Sequence, residues 1–345
     1  MNLDLFDYSL PKERIAQKPL PQRDQSRLLV LDRKTEKREH RHFYDILGYL
    51  EQGDLIVLND TKVIPARLYA QSEKGIRFEV FFLEYENGTG RCLIQPSRKV
   101  KPNSWLQLSN PDKIYVSEFL GNGEWKVQVE SDKTVESLLV KQGATPLPPY
   151  IERPQGPNPV DSARYQTVFA KKAGAIAAPT AGLHFTPNLL QECRGKGISI
   201  AFLTLHVGIG TFLPLRNAQI EENRLHPERF EIPEKTARMI LETKKRGRKV
   251  TAVGTTVVRT LESQAINDQE VFAGRGSTDL FITPGFRFQI VDHLITNFHL
   301  PRSSLLLLVS TFAERTGREQ ILEAYQEAIE KRYRFYSYGD AMLIL

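Results

Sequence analysis

Apolar runs separated by short polar breaks organise most of this chain. Leu55-Ile56-Val57-Leu58, Ile198 to Leu205, Val250 to Val253 and Asp279-Leu280-Phe281-Ile282 have the length and continuity of strands buried on both faces. Arg27 to Asp32 reads as a strand entered through the polar loop Arg23 to Ser26, and a terminal strand around Tyr338-Gly339-Asp340 is expected to complete the sheet. Helical spacing falls between the runs. It covers Phe43 to Leu50, a helix opened by Thr186-Pro187 and stopped between Gly195 and Gly197, and one opened by Pro233 and running through Thr243. Further helices follow Gly254-Thr255-Thr256, span Ser303 to Ala313, and run from about Arg318 to Arg332. Ser9 near an N-cap and Pro11 in a first turn predict one more short helix over Glu13 to Ala16. Strand, polar loop, helix and strand in succession are the unit of a parallel sheet, so the fold class expected is α/β with a mainly parallel sheet.

The texture changes from about Val63 to Lys141. Phe78 to Glu84 and Arg91 to Gln95 flank Asn87-Gly88, and Lys113 to Leu120 and Glu124 to Glu130 flank Gly121-Asn122-Gly123. Turn pairs of this kind between alternating strands predict hairpins. An all-β, barrel-like domain over residues 63–149 is therefore expected inside a discontinuous α/β domain of residues 1–62 and 150–345, with the proline-rich stretch from Pro146 to Pro159 as the stiff return.

Composition adds limits more than identity. A chain of 345 residues suggests about two domains. Hydrophobic residues at 41% and charged residues at 26% fit a globular protein in water. The polar N-terminus shows no secretion signal and the run around Leu305 to Val309 is too short to span a bilayer, so a cytoplasmic protein without a membrane partner is expected. Cys92 and Cys193 lie far apart without ligand spacing, which argues against a metal or a disulfide framework. A net charge of +6 is compatible with RNA and does not require it. Basic clusters at Arg33 to His42, at Arg98, Lys99 and Lys101 near Trp105, and at Lys244 to Lys249, including Lys245 and Arg246, are either RNA contacts or solvated faces.

Candidate chemistry concentrates in three stretches that mix small residues, hydroxyls and His or Asn: Ala175 to Thr186, Leu205 to Phe212, and Leu294 to Pro301. Small residues such as Ala177, Ala178 and Gly182 let backbone approach a ligand, and histidines titrate near neutrality. Asn59-Asp60-Thr61 follows the carboxyl end of an apolar strand, where ligands bind in parallel α/β sheets, although an Asx turn would use the same residues. Gly254-Thr255-Thr256 opens a helix whose free amides suit an anion.

These stretches resemble the S-adenosylmethionine:tRNA ribosyltransferase-isomerases, which act late in queuosine biosynthesis. The resemblance extends nearly end to end, from the segment Leu58 to Leu68 to the segment Tyr333 to Ile344, and includes Leu147-Pro148-Pro149-Tyr150-Ile151 and His226-Pro227-Glu228. Family members often carry serine where this chain has Val257. The resemblance implies transfer and isomerisation of the ribosyl part of S-adenosylmethionine onto 7-aminomethyl-7-deazaguanine at the wobble position of tRNA, giving epoxyqueuosine-tRNA, adenine and methionine. S-adenosylmethionine is then a consumed substrate rather than a cofactor, no metal is needed, and no obligatory protein partner is implied. Such a reaction asks for proton transfer, for which His184, His206, His299 and then Asp60 are candidates. Thr180, Asn297 and Thr255 are candidates for hydrogen bonds to ribose or amino-acid groups, Arg259 for a carboxylate or phosphate unless it pairs with a neighbouring acid, and Gly182, Tyr165 and Gln166 for other substrate contacts. An S-adenosylmethionine-dependent methyltransferase is a rival, but the early strand-to-helix glycine loop is missing. A non-catalytic RNA-binding protein would leave the histidine-bearing turns without purpose.

Overall fold

The Leu55–Asn59 strand is buried at every position, and its side chains divide between two cores. Leu55 and Val57 join the core beneath the helices Thr255–Ser263, Ser304–Phe312 and Gly317–Glu330. Ile56 and Leu58 face the opposite core, built with Phe43–Tyr49 and Pro187–Gly195. A strand covered on both faces has no polar face to show, which is why its run reads as continuously apolar. A computed structural model describes residues 2–109, 111–212, 215, 217–313 and 317–345, with the side chains of residues 211, 212, 217 and 218 outside that description.

Among the described residues the large sheet has nine strands, in the order Gly274–Leu280, Arg224–Ile232, Ser199–Leu205, Leu55–Asn59, Val250–Val253, His293–Asn297, Ala341–Ile344, Arg27–Leu31 and Arg38–His42. Its middle block, from Ser199–Leu205 to His293–Asn297, is parallel. The two strands before that block pair antiparallel, as does Ala341–Ile344 on its other side, so the α/β sheet is mixed. The terminal strand starts at Ala341 and lies inside the sheet, antiparallel to one neighbour and parallel to Arg27–Leu31. Tyr338 to Asp340 are not part of it because the Asp340 carboxylate accepts the backbone amides of Arg27 and Arg334 at 2.9 and 2.8 Å, which closes a turn there.

Other local expectations shift for identifiable reasons. The strand expected at Asp279 to Ile282 is Gly274–Leu280, and Phe281 and Ile282 are buried just beyond it. The first helix shrinks to the 3-10 turn Lys12–Arg14, with extended Pro11 rather than Ser9 at its cap. Phe43–Tyr49 is also a 3-10 helix; its buried residues, Phe43 and Ile46, stand three apart, the spacing that stacks in that geometry. The Ala175 stretch leaves not a buried strand of the large sheet but Lys172–Ala175, a short strand paired in parallel with Thr61–Val63. It then passes through a 3-10 turn, Thr180–His184, before the helix capped by Thr186.

The barrel is closed by six antiparallel strands, in the order Glu124–Glu130, Thr89–Gln95, Arg77–Glu86, Arg67–Gln71, Ser104–Gln107 and Lys113–Gly121. Asn87 and Gly88, and Asn122 and Gly123, all take positive φ at two of its hairpin tips, the backbone such turn pairs supply. Val135 and Leu139 of the helix Val135–Gln142 complete the barrel core. Because the chain enters this unit through Thr61–Val63, directly after Asn59, the barrel stands beside the carboxyl ends of the parallel strands.

Candidate functional site

Gly254 turns the Val250–Val253 strand into the helix Thr255–Ser263 across one residue, at φ 92°. That conformation strains any residue with a Cβ. The turn leaves Gly254, Thr255 and Thr256 on the wall of a cavity of about 390 Å³ at the carboxyl edge of the sheet. Thr180 and the small residues Ala177, Ala178 and Ala181 form another wall, and Asn297, His299 and Tyr165 a third. Val207 and Gly210 line the cavity as well, so the three stretches singled out by their composition are brought together. Thr211 and Phe212 of the second stretch have side chains outside the described residues.

Asn297 is the centre of the polar corner. Its Nδ2 donates to the carbonyls of Tyr336 and Asp340 at 3.1 and 3.4 Å and to His184 Nε2 at 3.1 Å. Two carbonyl partners fix the orientation of the amide, so His184 Nε2 is an acceptor and the ring proton sits on Nδ1, which donates to Ser26 Oγ at 2.7 Å. Phe43 stacks on the ring at 5.0 Å. Burial, with the charges of Arg23 and Arg334 adding to it, pushes the His184 imidazole down to about 3. The Asn297 amide turns its Oδ1 into a buried position with no hydrogen-bond partner among the described residues.

His299 lines the cavity itself. Its Nε2 is 3.3 Å from Thr296 Oγ1 and its Nδ1 3.4 Å from the Tyr325 hydroxyl, while the Tyr8 hydroxyl donates to its carbonyl. Burial alone lowers this imidazole to about 3. His206 is different. It is half-buried, with Nδ1 2.8 Å from Thr61 Oγ1, and its ring lies so close to Gly174 that a Cβ there would come within 2.9 Å. Burial and then Arg229 lower His206, and Asp60 and Glu231 oppose them. Asp60 is buried and accepts from Thr204 Oγ1 at 2.6 Å. Neither His206 nor Asp60 is part of the cavity wall.

The remaining candidates separate by their partners. Tyr165 is fully buried on the cavity wall, with its hydroxyl beside Ser337 and the Ala178 backbone. Gln166 spends its amide on Val63, accepting from the backbone nitrogen at 3.0 Å and donating to the carbonyl at 3.1 Å. Gly182 packs where a Cβ would meet Phe169 and Thr167 at 2.9 and 3.0 Å. Arg259 is buried against Glu228: Nη1 donates to its carboxylate, and Nε donates to the Leu280 carbonyl at 2.9 Å. The neighbouring acid left open in the sequence is therefore present. Arg98, Lys99 and Lys101 are exposed on the barrel. Lys245, the last residue of the helix Glu234–Lys245, and its cap Arg246 are exposed at the opposite, amino edge of the parallel strands, just before the Lys249 carbonyl that accepts from the Leu55 amide at 2.9 Å.

Sequence reasoning passed over Ser26 and Glu228 as site residues. The His226-Pro227-Glu228 motif was the available signal for Glu228; nothing local marks Ser26, whose partner lies 158 positions away. Among the described residues no group of three or more His, Cys, Asp or Glu side chains is placed to hold a metal ion, and no helix is long and apolar enough to cross a membrane.

Comparison with known proteins gives one consistent picture. The chain matches the family model described as queuosine biosynthesis protein over residues 3–344. It is 49% identical to the S-adenosylmethionine:tRNA ribosyltransferase-isomerase of Thermotoga maritima, with 100% of both chains covered. It is 48% identical to the protein of that name from Aquifex aeolicus, again over 100% of both. A crystal structure of S-adenosylmethionine tRNA ribosyltransferase from Thermotoga maritima is similar to it with a TM-score of 0.57 and 41% identity, covering 99% of this chain and 100% of that one.

Proposed function

We propose, since the chain belongs to the queuosine biosynthesis protein family, that it transfers the ribosyl part of S-adenosylmethionine to tRNA and isomerises it. The acceptor is 7-aminomethyl-7-deazaguanine at the wobble position, and the products are epoxyqueuosine-tRNA, adenine and methionine. S-adenosylmethionine is consumed as a substrate. The observation that carries this reading is the cavity at the carboxyl edge, where a helix start, small apolar residues and the unspent Asn297 Oδ1 share one wall system.

The three kinds of wall match the three parts of that substrate. The first-turn amides of Thr255–Ser263, with the positive end of the helix dipole, suit the methionine carboxylate. Ala177, Ala178 and Phe298 offer apolar surface to the adenine. Asn297 Oδ1 accepts from a ribose hydroxyl, and Thr180 and the Tyr165 hydroxyl complete the set. Gln166 and Gly182 act at one remove, by bracing Val63 and by keeping the 3-10 turn against Phe169.

The sulfonium acidifies its neighbouring C–H bonds, so a positioned imidazole or carboxylate suffices to take the proton. His184 and His299, held neutral by burial, serve as hydrogen-bonding groups, His299 on the substrate and His184 through Asn297. His206, the least buried of the three and close to Asp60, is lowered by burial and Arg229 while Asp60 and Glu231 oppose them. The wobble nucleotide is splayed from the anticodon loop to reach the site, with Arg98, Lys99 and Lys101 on the RNA side.

Adenine release from S-adenosylmethionine in the presence of tRNA carrying the aminomethyl base tests this directly. Release that depends on that base, with a matching gain in RNA mass, is the expected result. A gain of methyl mass alone would replace the reading with a methyltransferase, and binding without any change in mass would replace it with an RNA-binding protein.

A further inference from the structure

A second cavity, of about 470 Å³, lies between the barrel and the sheet domain. Glu84, Arg91 and Glu124 line it from the barrel, and His226, Glu228 and Arg259 from the sheet domain. It shares Gly210, Leu215, Ser304 and Leu305 with the first cavity, so the two are adjoining chambers. Its size is that of a small-molecule or nucleoside site.

The floor of this chamber is built for a polar ligand. Arg259 is 6% exposed and its Nη2 has no hydrogen-bond partner among the described residues, although Nη1 and Nε are both used. A buried guanidinium donor left unpaired costs free energy unless a ligand takes it up. Glu228 cannot turn to meet it, because its second oxygen accepts from the Gly208 amide at 2.8 Å. The barrel wall adds a different charge. Arg91 lies between Glu84 and Glu124, at 3.3 and 3.4 Å, so two carboxylates share one cation. With Arg259 and Glu228 paired opposite, the carboxylates and guanidiniums of the described lining carry one net negative charge.

We infer that this chamber receives the aminomethyl-bearing purine-like base of the RNA, with Arg259 Nη2 donating to its ring carbonyl and Glu84 and Glu124 facing its ammonium. The inference rests on the proposed function for the identity of that base. In a 7-aminomethyl-7-deazaguanine the carbonyl and the aminomethyl group project from the same edge, so one donor and one acidic wall read both. Unmodified guanine keeps the carbonyl and lacks the cation. The acidic wall is therefore the element that discriminates between them, and Arg259 the element that orients either base.

The test is equilibrium binding, without turnover, of two anticodon stem-loop RNAs that differ only in carrying the aminomethyl base or guanine. The wild-type protein is expected to prefer the modified RNA by about tenfold or more, in line with one charge-assisted contact. Glu84→Gln combined with Glu124→Gln removes charge from exposed and half-exposed positions, and the preference should fall to about twofold or less while S-adenosylmethionine affinity holds. Arg259→Lys should weaken both RNAs together. If that variant does not fold, judged by thermal unfolding, the carboxylate pair decides alone. A wild type without preference, or a preference unchanged in the carboxylate variant, overturns the inference. Because adenine release is a separate measurement, its failure would sink the proposed reaction without deciding this binding result.

Discussion

The two edges of the parallel block use polar residues in opposite ways. At the amino edge, Asp54 accepts from the Glu51 and Lys249 amides at 2.8 and 3.0 Å, and Asp292 accepts from the Val250 amide and Lys244 Nζ at 2.8 and 2.9 Å. Arg248 meets Glu51 at 2.6 Å in the same loop. These acids are spent on closing turns and neutralising lysines. At the carboxyl edge, Asn297, His184 and His299 are neutral, buried and linked across long sequence distances, and the Asn297 amide still has an acceptor to give. The strand His293–Asn297 runs from one regime to the other in five residues. Polarity alone therefore does not mark the site. What marks it is hydrogen-bonding capacity left over after the backbone has been satisfied.

The sharpest way to break that contrast is to remove its centre. Asn297→Ala deletes the donor to His184 and to two backbone carbonyls, and leaves them facing a void. Adenine release should fall by about a hundredfold or more, since small misplacement of catalytic groups costs that much. Single-turnover measurement with saturating S-adenosylmethionine checks it; a loss below about threefold would mean that the corner is packing and nothing else.

The histidines sharpen the contrast within the carboxyl edge. His299→Asn should lower the rate by about tenfold at every pH, because the group it replaces does not titrate in the working range. His206→Asn should instead remove the acid limb of the pH–rate profile, which wild-type protein should show below the ordinary histidine value because burial lowers this ring. An acid limb that persists in His206→Asn and vanishes in His299→Asn would reverse the assignment.

Much of this architecture is legible in the sequence where it is local. The apolar run Leu55 to Leu58 and the turns Asn87-Gly88 and Asn122-Gly123 carry their own instructions in adjacent residues. The sheet position of Ala341–Ile344 does not, because it depends on partners at Arg27–Leu31 and His293–Asn297 that no nearby residue announces. The site follows the same division. Its three motifs stand out by composition, yet His184, His206 and His299 look equivalent until Ser26, Asn297 and Thr61 arrive from elsewhere in the chain to distinguish them. Arg259 is ambiguous for the same reason, since Glu228 reaches it from another element.

Burial of neutral imidazoles at the carboxyl edge also has a thermodynamic signature. His184 sits near 3 in the folded protein against an ordinary 6.5. As pH falls, the unfolded chain takes up this proton first, so the stability contribution is full above about 6.5 and declines through the window down to about 3. Between about pH 7.5 and about pH 5.5, one such group costs about 1.4 kcal/mol of stability. Urea unfolding of His184→Gln should therefore lose about 1.4 kcal/mol less than wild type over that interval. Equal losses would mean that the ring is protonated in the fold, and the hydrogen bond from Asn297 would have to be assigned differently.

The smallest effect is expected at the amino edge. Lys245 and Arg246 are exposed, Arg246 lies 4.0 Å from Glu242, and both are on the far side of the sheet from the cavity. Replacing both with glutamine should change RNA affinity by less than about twofold, whereas replacing Arg98, Lys99 and Lys101 on the barrel should cost about tenfold or more. Salt dependence separates the cases better than affinity alone. Each phosphate contact removed lowers the slope of log affinity against log salt by about 0.7 to 0.9, so the barrel variant should show a flatter line and the amino-edge variant the wild-type line. A flattened slope in Lys245→Gln/Arg246→Gln would place RNA across both edges, and the contrast between them would then concern only the small substrate.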